Sequence, residues 1–125
     1  MKAKVLIVED DRVISTSMRE VLTLVGLEVA GVAASVNDAL CLAENTRPDL
    51  AIFDVRLAGR RDGIEGALIL RERLGLPVVF VTSRMDAQTT ARAIEAEPVA
   101  YFTKPVGSRD LIEAVEKAMG APIAA

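Results

Sequence analysis

Leu50-Ala51-Ile52-Phe53 is an unbroken apolar run, and it ends on an acid, Asp54. Apolar residues in a row, with no polar alternation, fit a strand covered on both faces. The same pattern stands at Val5-Leu6-Ile7-Val8, which runs into Glu9-Asp10-Asp11. Two buried strands that both deliver carboxylates to one edge build an acidic pocket. Such a pocket suits a hard cation held through oxygen, and a lone aspartate within it can take up a phosphoryl group.

Outward from these two runs the pattern repeats. Strands are predicted at Lys4–Val8, Glu28–Ala33, Leu50–Asp54, Val78–Thr82 and Ala100–Thr103. Each is short, apolar or β-branched, and bounded by turn or charged residues. Helical spacing fills the gaps. Ile14, Met18, Val21, Leu22 and Val25 share one face before a stop at Gly26, and Asp11 is placed to open that helix. Ser35 caps a second helix carrying Val36, Ala39, Leu40 and Ala43. Leu68 and Leu70 mark a third, ending near Gly75 ahead of Pro77. Asp86 or a neighbour starts a fourth, whose predicted inner face is Ala87, Ala91, Ala93 and Ile94. Ser108 is expected to cap a fifth, with Leu111, Ile112, Val115 and Met119 inward and Gly120 at the stop. Strict β-α alternation predicts an α/β fold. It is a (βα)5 flavodoxin-like, doubly wound parallel sheet of order 2-1-3-4-5 in three α/β/α layers. In such sheets ligands sit beyond the carboxyl ends of the strands, where strands 1 and 3 diverge.

Composition removes many alternatives. The chain has 125 residues, 51% of them hydrophobic, which fits one domain over residues 1–125 with a sizeable core and no output domain. A net charge of −3 gives no reason to expect direct nucleic-acid or membrane binding. No apolar run is long enough to span a bilayer and no cleavage-site pattern follows Met1, so a cytoplasmic location is expected. The single cysteine, Cys41, excludes an internal disulfide and fits a reducing compartment. With no histidine, Ser–His–Asp and Cys–His catalysis are excluded, and zinc, haem and iron–sulfur sites are disfavoured. Carboxylates remain, and they select magnesium, calcium or manganese.

Four features converge on the predicted edge: Glu9-Asp10-Asp11, Asp54, Thr82-Ser83 and Lys104-Pro105. Carboxylates offer oxygen ligands, Lys104 a cation and Thr82 a hydroxyl. A cis Lys104–Pro105 bond would aim the lysine inward. Each residue also has a plainer reading: a strand-end acid, a helix cap, a routine β-former or a snorkelling surface lysine. Taken together and in this order, the motifs resemble the receiver domain of two-component response regulators, from Val5 to about Met119.

The resemblance implies Asp54 as phosphoacceptor, Asp10 as a direct Mg2+ (or Mn2+) ligand, Glu9 acting through water, and the backbone carbonyl of Arg56 as a further ligand. It makes Thr82 the switch hydroxyl, Lys104 the phosphate-binding lysine and Tyr101 the switch aromatic. It implies a phosphoprotein rather than an enzyme, limited to self-phosphotransfer and slow autodephosphorylation. The implied partners are a histidine kinase or histidine phosphotransfer protein and a downstream protein. The implied output surface is helix 4, strand 5 and helix 5, through which homodimerisation is one outcome.

Some positions depart from the family pattern. Ala58 stands where most receivers have proline, and the glycine matching Gly63 lies one residue further on, which reads as an insertion turned by Gly59. Arg56 and Arg84 occupy the two places that flank the phosphoryl group, where they would tune its lifetime. Arg60-Arg61 reads as a solvated loop or a partner contact, and Glu97-Pro98-Val99 replaces the usual small turn before strand 5. Alternatives are a phosphorylation-independent interaction domain, an aspartyl-phosphate phosphohydrolase and a flavodoxin-like cofactor binder. Against the second, its expected second aspartate is replaced by Arg56. Against the third, the chain has only four aromatics, Phe53, Phe80, Tyr101 and Phe102.

Overall fold

The computed structural model describes residues 2–57, 59, 61–83 and 86–123. The strands are β1 (Lys4–Val8), β2 (Glu28–Ala33), β3 (Leu50–Phe53), β4 (Val78–Thr82) and β5 (Ala100–Thr103). The helices are α1 (Arg12–Leu24), α2 (Val36–Thr46), α3 (Gly63–Leu74), α4 (Ala87–Glu95) and α5 (Ser108–Met119). All five strands pair in parallel in the order β2-β1-β3-β4-β5. This is the doubly wound topology read from the sequence, with Asp54 one residue past the end of β3 instead of inside it.

The alternation of side chains along each strand divides the core into two layers. Leu6, Val8, Ala51, Phe53, Val78 and Phe80 face α2, α3 and α4, meeting Ala39, Ala43, Ile64, Ala67, Leu70 and Ala93. Val5, Ile7, Leu50, Ile52, Val79 and Val81 face the other way, against Met18 and Leu22 of α1 and Leu111, Ala114 and Val115 of α5. Central strands covered on both faces have no room for a polar residue until they end, so the acids appear only at the carboxyl edge.

Helix ends follow local chemistry with one correction. Asp11, Ser35, Asp62 and Asp86 each accept backbone N–H groups at the starts of α1, α2, α3 and α4. α5 is different: Gly107 is its cap residue, Ser108 is already the first helical residue, and no side chain caps it. The reason is that the Gly107 carbonyl already accepts the first helical bond, from Leu111 N at 3.1 Å. The predicted inner face of α4 is also corrected. Ala87 and Ala91 are exposed and Ile94 is 64% exposed, whereas Thr89, Ala93 and Ala96 are buried. Thr89 tolerates burial because its hydroxyl donates to Asp86 Oδ2 at 2.9 Å. Gly59 has φ +94, the left-handed conformation that suits glycine in the loop after Asp54.

Candidate functional site

Strand register assembles the site before any side chain acts. Val8 pairs with Phe53 across β1 and β3, so the next residues, Glu9 and Asp54, emerge side by side. Their amides are fixed by Glu9 N donating to Ala33 O and Asp54 N donating to Val8 O, both at 2.9 Å. On the other side Thr82 pairs with Thr103 across β4 and β5, and Lys104 N donates to Thr82 O at 2.9 Å. Lys104 therefore leaves β5 facing the acids, and its peptide bond to Pro105 is cis.

The Lys104 Nζ stands 2.8 Å from Asp54 Oδ2 and 2.6 Å from Glu9 Oε1. Its contact to Asp54 is a hydrogen bond, while the one to Glu9 is a charge contact: Oε1 is buried and no aligned donor reaches it among the described residues. The other oxygens are held by the backbone. Asp11 N donates to Glu9 Oε2 at 3.1 Å, and Arg56 N donates to Asp54 Oδ1 at 3.3 Å. Glu9 and Asp54 are 3% and 7% exposed, and Thr82 is fully buried. Burial pushes the Glu9 carboxyl above its ordinary range, and Lys104 only partly opposes this. For Lys104, burial disfavours the ammonium, but the two carboxylates of Asp54 and Glu9 beside it outweigh this and raise its pKa.

Carboxylate oxygens of Glu9, Asp10 and Asp54 lie within 4.8 Å of one another, with Asp10 exposed to solvent. An octahedral oxygen shell at about 2.1 Å is about 4.2 Å across. The cluster is thus close to the size of a Mg2+ or Mn2+ shell, its donors are hard oxygens, and Glu9 Oε1 is a buried acceptor with no aligned donor. The residues fit such an ion. Tyr101 is half-buried on β5, its ring edge-on to Phe80 at 6.1 Å between centroids.

The register thus gathers Glu9, Asp10, Asp54, Arg56 and Lys104 at one edge, with Tyr101 apart from them. Ala58, Arg60 and Arg84 lie outside the described residues. Two features had no sequence signal. One is the Lys104–Glu9 contact, which depends on how far β5 carries the lysine across the edge. The other is an ion pair from Arg92 of α4 to Asp62, Nη1 to Oδ2 at 2.9 Å, which ties α4 to the loop after Asp54. Gly63 does carry a signal, since it is a glycine at a loop-to-helix junction. A Cβ there would stand 1.9 Å from the carbonyl oxygen of Asp54.

A doubly wound sheet with an acid cluster and an inward lysine at its carboxyl edge defines a receiver. The profile of the response regulator receiver domain matches residues 5–116, and the chain belongs to this family. It is 38% identical over 116 residues to the transcriptional regulatory protein PdtaR of Mycobacterium tuberculosis, covering 93% of this chain and 56% of PdtaR. It is 39% identical to the transcriptional regulatory protein AfsQ1 of Streptomyces coelicolor, covering 85% of this chain and 46% of AfsQ1. The chain spans about half the length of these curated relatives. The crystal structure of the signal receiver domain of a modulated diguanylate cyclase from Desulfovibrio desulfuricans superposes with a TM-score of 0.91 at 37% identity, over 96% of this chain and 95% of that one. A CheY-like receiver from Methanospirillum hungatei superposes with a TM-score of 0.87 at 30% identity, over 96% and 95% of the two chains.

Proposed function

We propose that this receiver accepts a phosphoryl group on Asp54 from a histidine kinase or histidine phosphotransfer protein and changes its output surface in response. The observation that carries the reading is Asp54 itself: nearly buried, one residue past β3, beside the acid cluster and 2.8 Å from Lys104 Nζ. An Asp54 oxygen attacks the phosphorus of a phosphohistidine. The new O–P bond forms as the P–N bond breaks, and the electron pair leaves on the imidazole nitrogen, which takes up a proton.

Asp10, Asp54 and the Arg56 carbonyl would hold Mg2+ or Mn2+ directly, with Glu9 acting through water. The bound ion supplies positive charge against the phosphoryl oxygens. The chain's own residues do the rest. Lys104 is already beside Asp54, so its ammonium meets the new charge with little movement. The Thr82 hydroxyl, fixed on β4, is the second group proposed to read the phosphoryl. Moving Thr82 and Lys104 shifts β4 and β5, and Tyr101, packed on Phe80, carries the change to α4, β5 and α5. That surface meets a downstream protein or a second receiver. Retention of the acids and Lys104 in one contact set favours this over a phosphorylation-independent role. Among the described residues no helix is long and apolar enough to cross a membrane.

Beryllium fluoride with Mg2+ provides the test. Amide shifts at Asp54, Thr82, Tyr101 and Lys104 should appear together and saturate. Shifts limited to the acid pocket, with α4 and β5 unmoved, would leave the switching half of the proposal without support.

A further inference from the structure

Beside the acid edge, and sharing Arg56 with it, lies a cavity of about 390 Å3 between the loop after Asp54 and α4. Three arginines, Arg56, Arg61 and Arg92, line it against one acid, Asp62. That acid is already committed, capping α3 through Glu65 N at 3.0 Å and pairing with Arg92. Arg56 and Arg61 have no acidic partner among the described residues. The N-terminal turns of α3 and α4 both border the space, through Asp62 and through Gln88 and Thr89. Parallel topology forces this, because every helix begins at the carboxyl edge of the sheet; the carboxylates of Asp62 and Asp86 already cap these two N-termini, so the arginines carry the attraction for an anion. Val55 and Leu57 also line the wall and give it a substantial apolar part. A volume of about 300–1,000 Å3 is typical for small-molecule sites.

Taken together these features point to a role the phosphoacceptor site does not need. We infer that this cavity binds a small organic or inorganic polyanion, carrying at least two phosphate or carboxylate groups, through Arg56, Arg61 and the unpaired edge of Arg92. Guanidinium forks bind both groups in bidentate fashion. One anionic group would sit between Arg56 and Arg61 on the loop, and the other against Arg92 on α4. A ligand held this way bridges the segment after the phosphoacceptor and the first helix of the output surface. It would therefore fix α4 relative to the loop, independently of phosphorylation.

The test uses the whole chain, without divalent cation, titrated with pyrophosphate and in a parallel arm with citrate, and followed by amide NMR. Saturable shifts centred on Asp62, Gln88, Thr89 and Arg92 are expected, and whichever probe binds more tightly tells phosphate from carboxylate. The double variant Arg56→Ala, Arg61→Ala changes only exposed side chains, so it should fold normally, and it should weaken binding by about tenfold or more. Shifts that never saturate, or that centre on Thr82 and Lys104, would overturn the assignment. So would equal affinity in the double variant, or binding of polyglutamate with neither small probe bound, which would mark the cavity as a contact for an acidic protein.

Discussion

Gly63→Ala should destabilise this fold strongly, and the structure gives the size of the effect. A Cβ at position 63 would lie 1.9 Å from the Asp54 carbonyl oxygen, 2.9 Å from its carbon and 3.1 Å from Val55 Cα. All three neighbours are backbone, so no side chain can rotate away. Ordinary contact requires more than an ångström of displacement. The Gly63 amide also donates to Val55 O at 2.7 Å, which pins the helix start against the loop. Overpacking in well-packed sites costs about 1–3 kcal/mol, and here the helix-propensity gain of alanine returns about 1 kcal/mol at most. A rigid backbone clash belongs at the upper end, so a net loss of about 2–3 kcal/mol is expected. With a urea slope of about 1.5 kcal/mol/M, the midpoint should fall by about 1.3–2 M. Gly66→Ala is the internal control. Its Cβ would meet the Phe53 ring at 3.0 Å and the Val36 methyls at 3.0 and 3.2 Å, a shortfall of only a few tenths of an ångström, so its loss should be smaller, about 1 kcal/mol. Urea unfolding of both variants is the assay. Equal midpoints for Gly63→Ala and the native chain, or a larger loss for Gly66→Ala, would refute the reasoning.

Lys104→Met should cost about 2–3 kcal/mol at neutral pH, since it leaves Glu9 and Asp54 buried with their counter-charge gone. The pH dependence has a definite sign. The folded pKa of Glu9 is raised, so its ionisation opposes folding: the cost is absent below the ordinary 4.5, grows as pH rises above it and is complete above the folded value. Urea midpoints measured against pH should show the Lys104→Met deficit shrinking in acid. In the native chain the raised Lys104 pKa means its contribution is complete below 10.5 and lost as pH climbs through the folded value. Mg2+ at a hundredfold excess over its dissociation constant should stabilise the chain by about 2.7 kcal/mol. Asp10→Asn should remove most of that increment in thermal unfolding, with little change in the metal-free midpoint. Asp62→Ala loses both a helix cap and the Arg92 pair and should cost about 1 kcal/mol. Arg92→Ala loses only a half-exposed pair and should stay within about 0.5 kcal/mol, which a double-mutant cycle can separate.

The fold was legible because the stretches Val5–Val8 and Leu50–Phe53 in its central strands carry no polar residue. Val5-Leu6-Ile7-Val8 and Leu50-Ala51-Ile52-Phe53 can only be central strands, and the acids beyond them can only be at the edge. The site was legible for the same reason, since register alone brings Glu9 and Asp54 together. What sequence did not convey depends on distances across elements. Lys104 reaches Glu9 as well as Asp54 because β5 stops one residue short of it. α5 is capped at Gly107 instead of Ser108, a one-residue question decided by which carbonyl accepts the first helical bond. α4 buries Thr89 where an alanine face was expected, because Asp86 satisfies the threonine hydroxyl. The Arg92–Asp62 pair joins residues on separate elements with no local pattern to announce it.

The most direct measurement is intact mass after incubation with acetyl phosphate and Mg2+. The native chain should gain one phosphoryl group that is lost on standing and absent when Mg2+ is chelated, and Asp54→Asn should gain none. Equal phosphorylation of Asp54→Asn, or no gain by a folded native chain with Mg2+ present, would contradict the role assigned to Asp54.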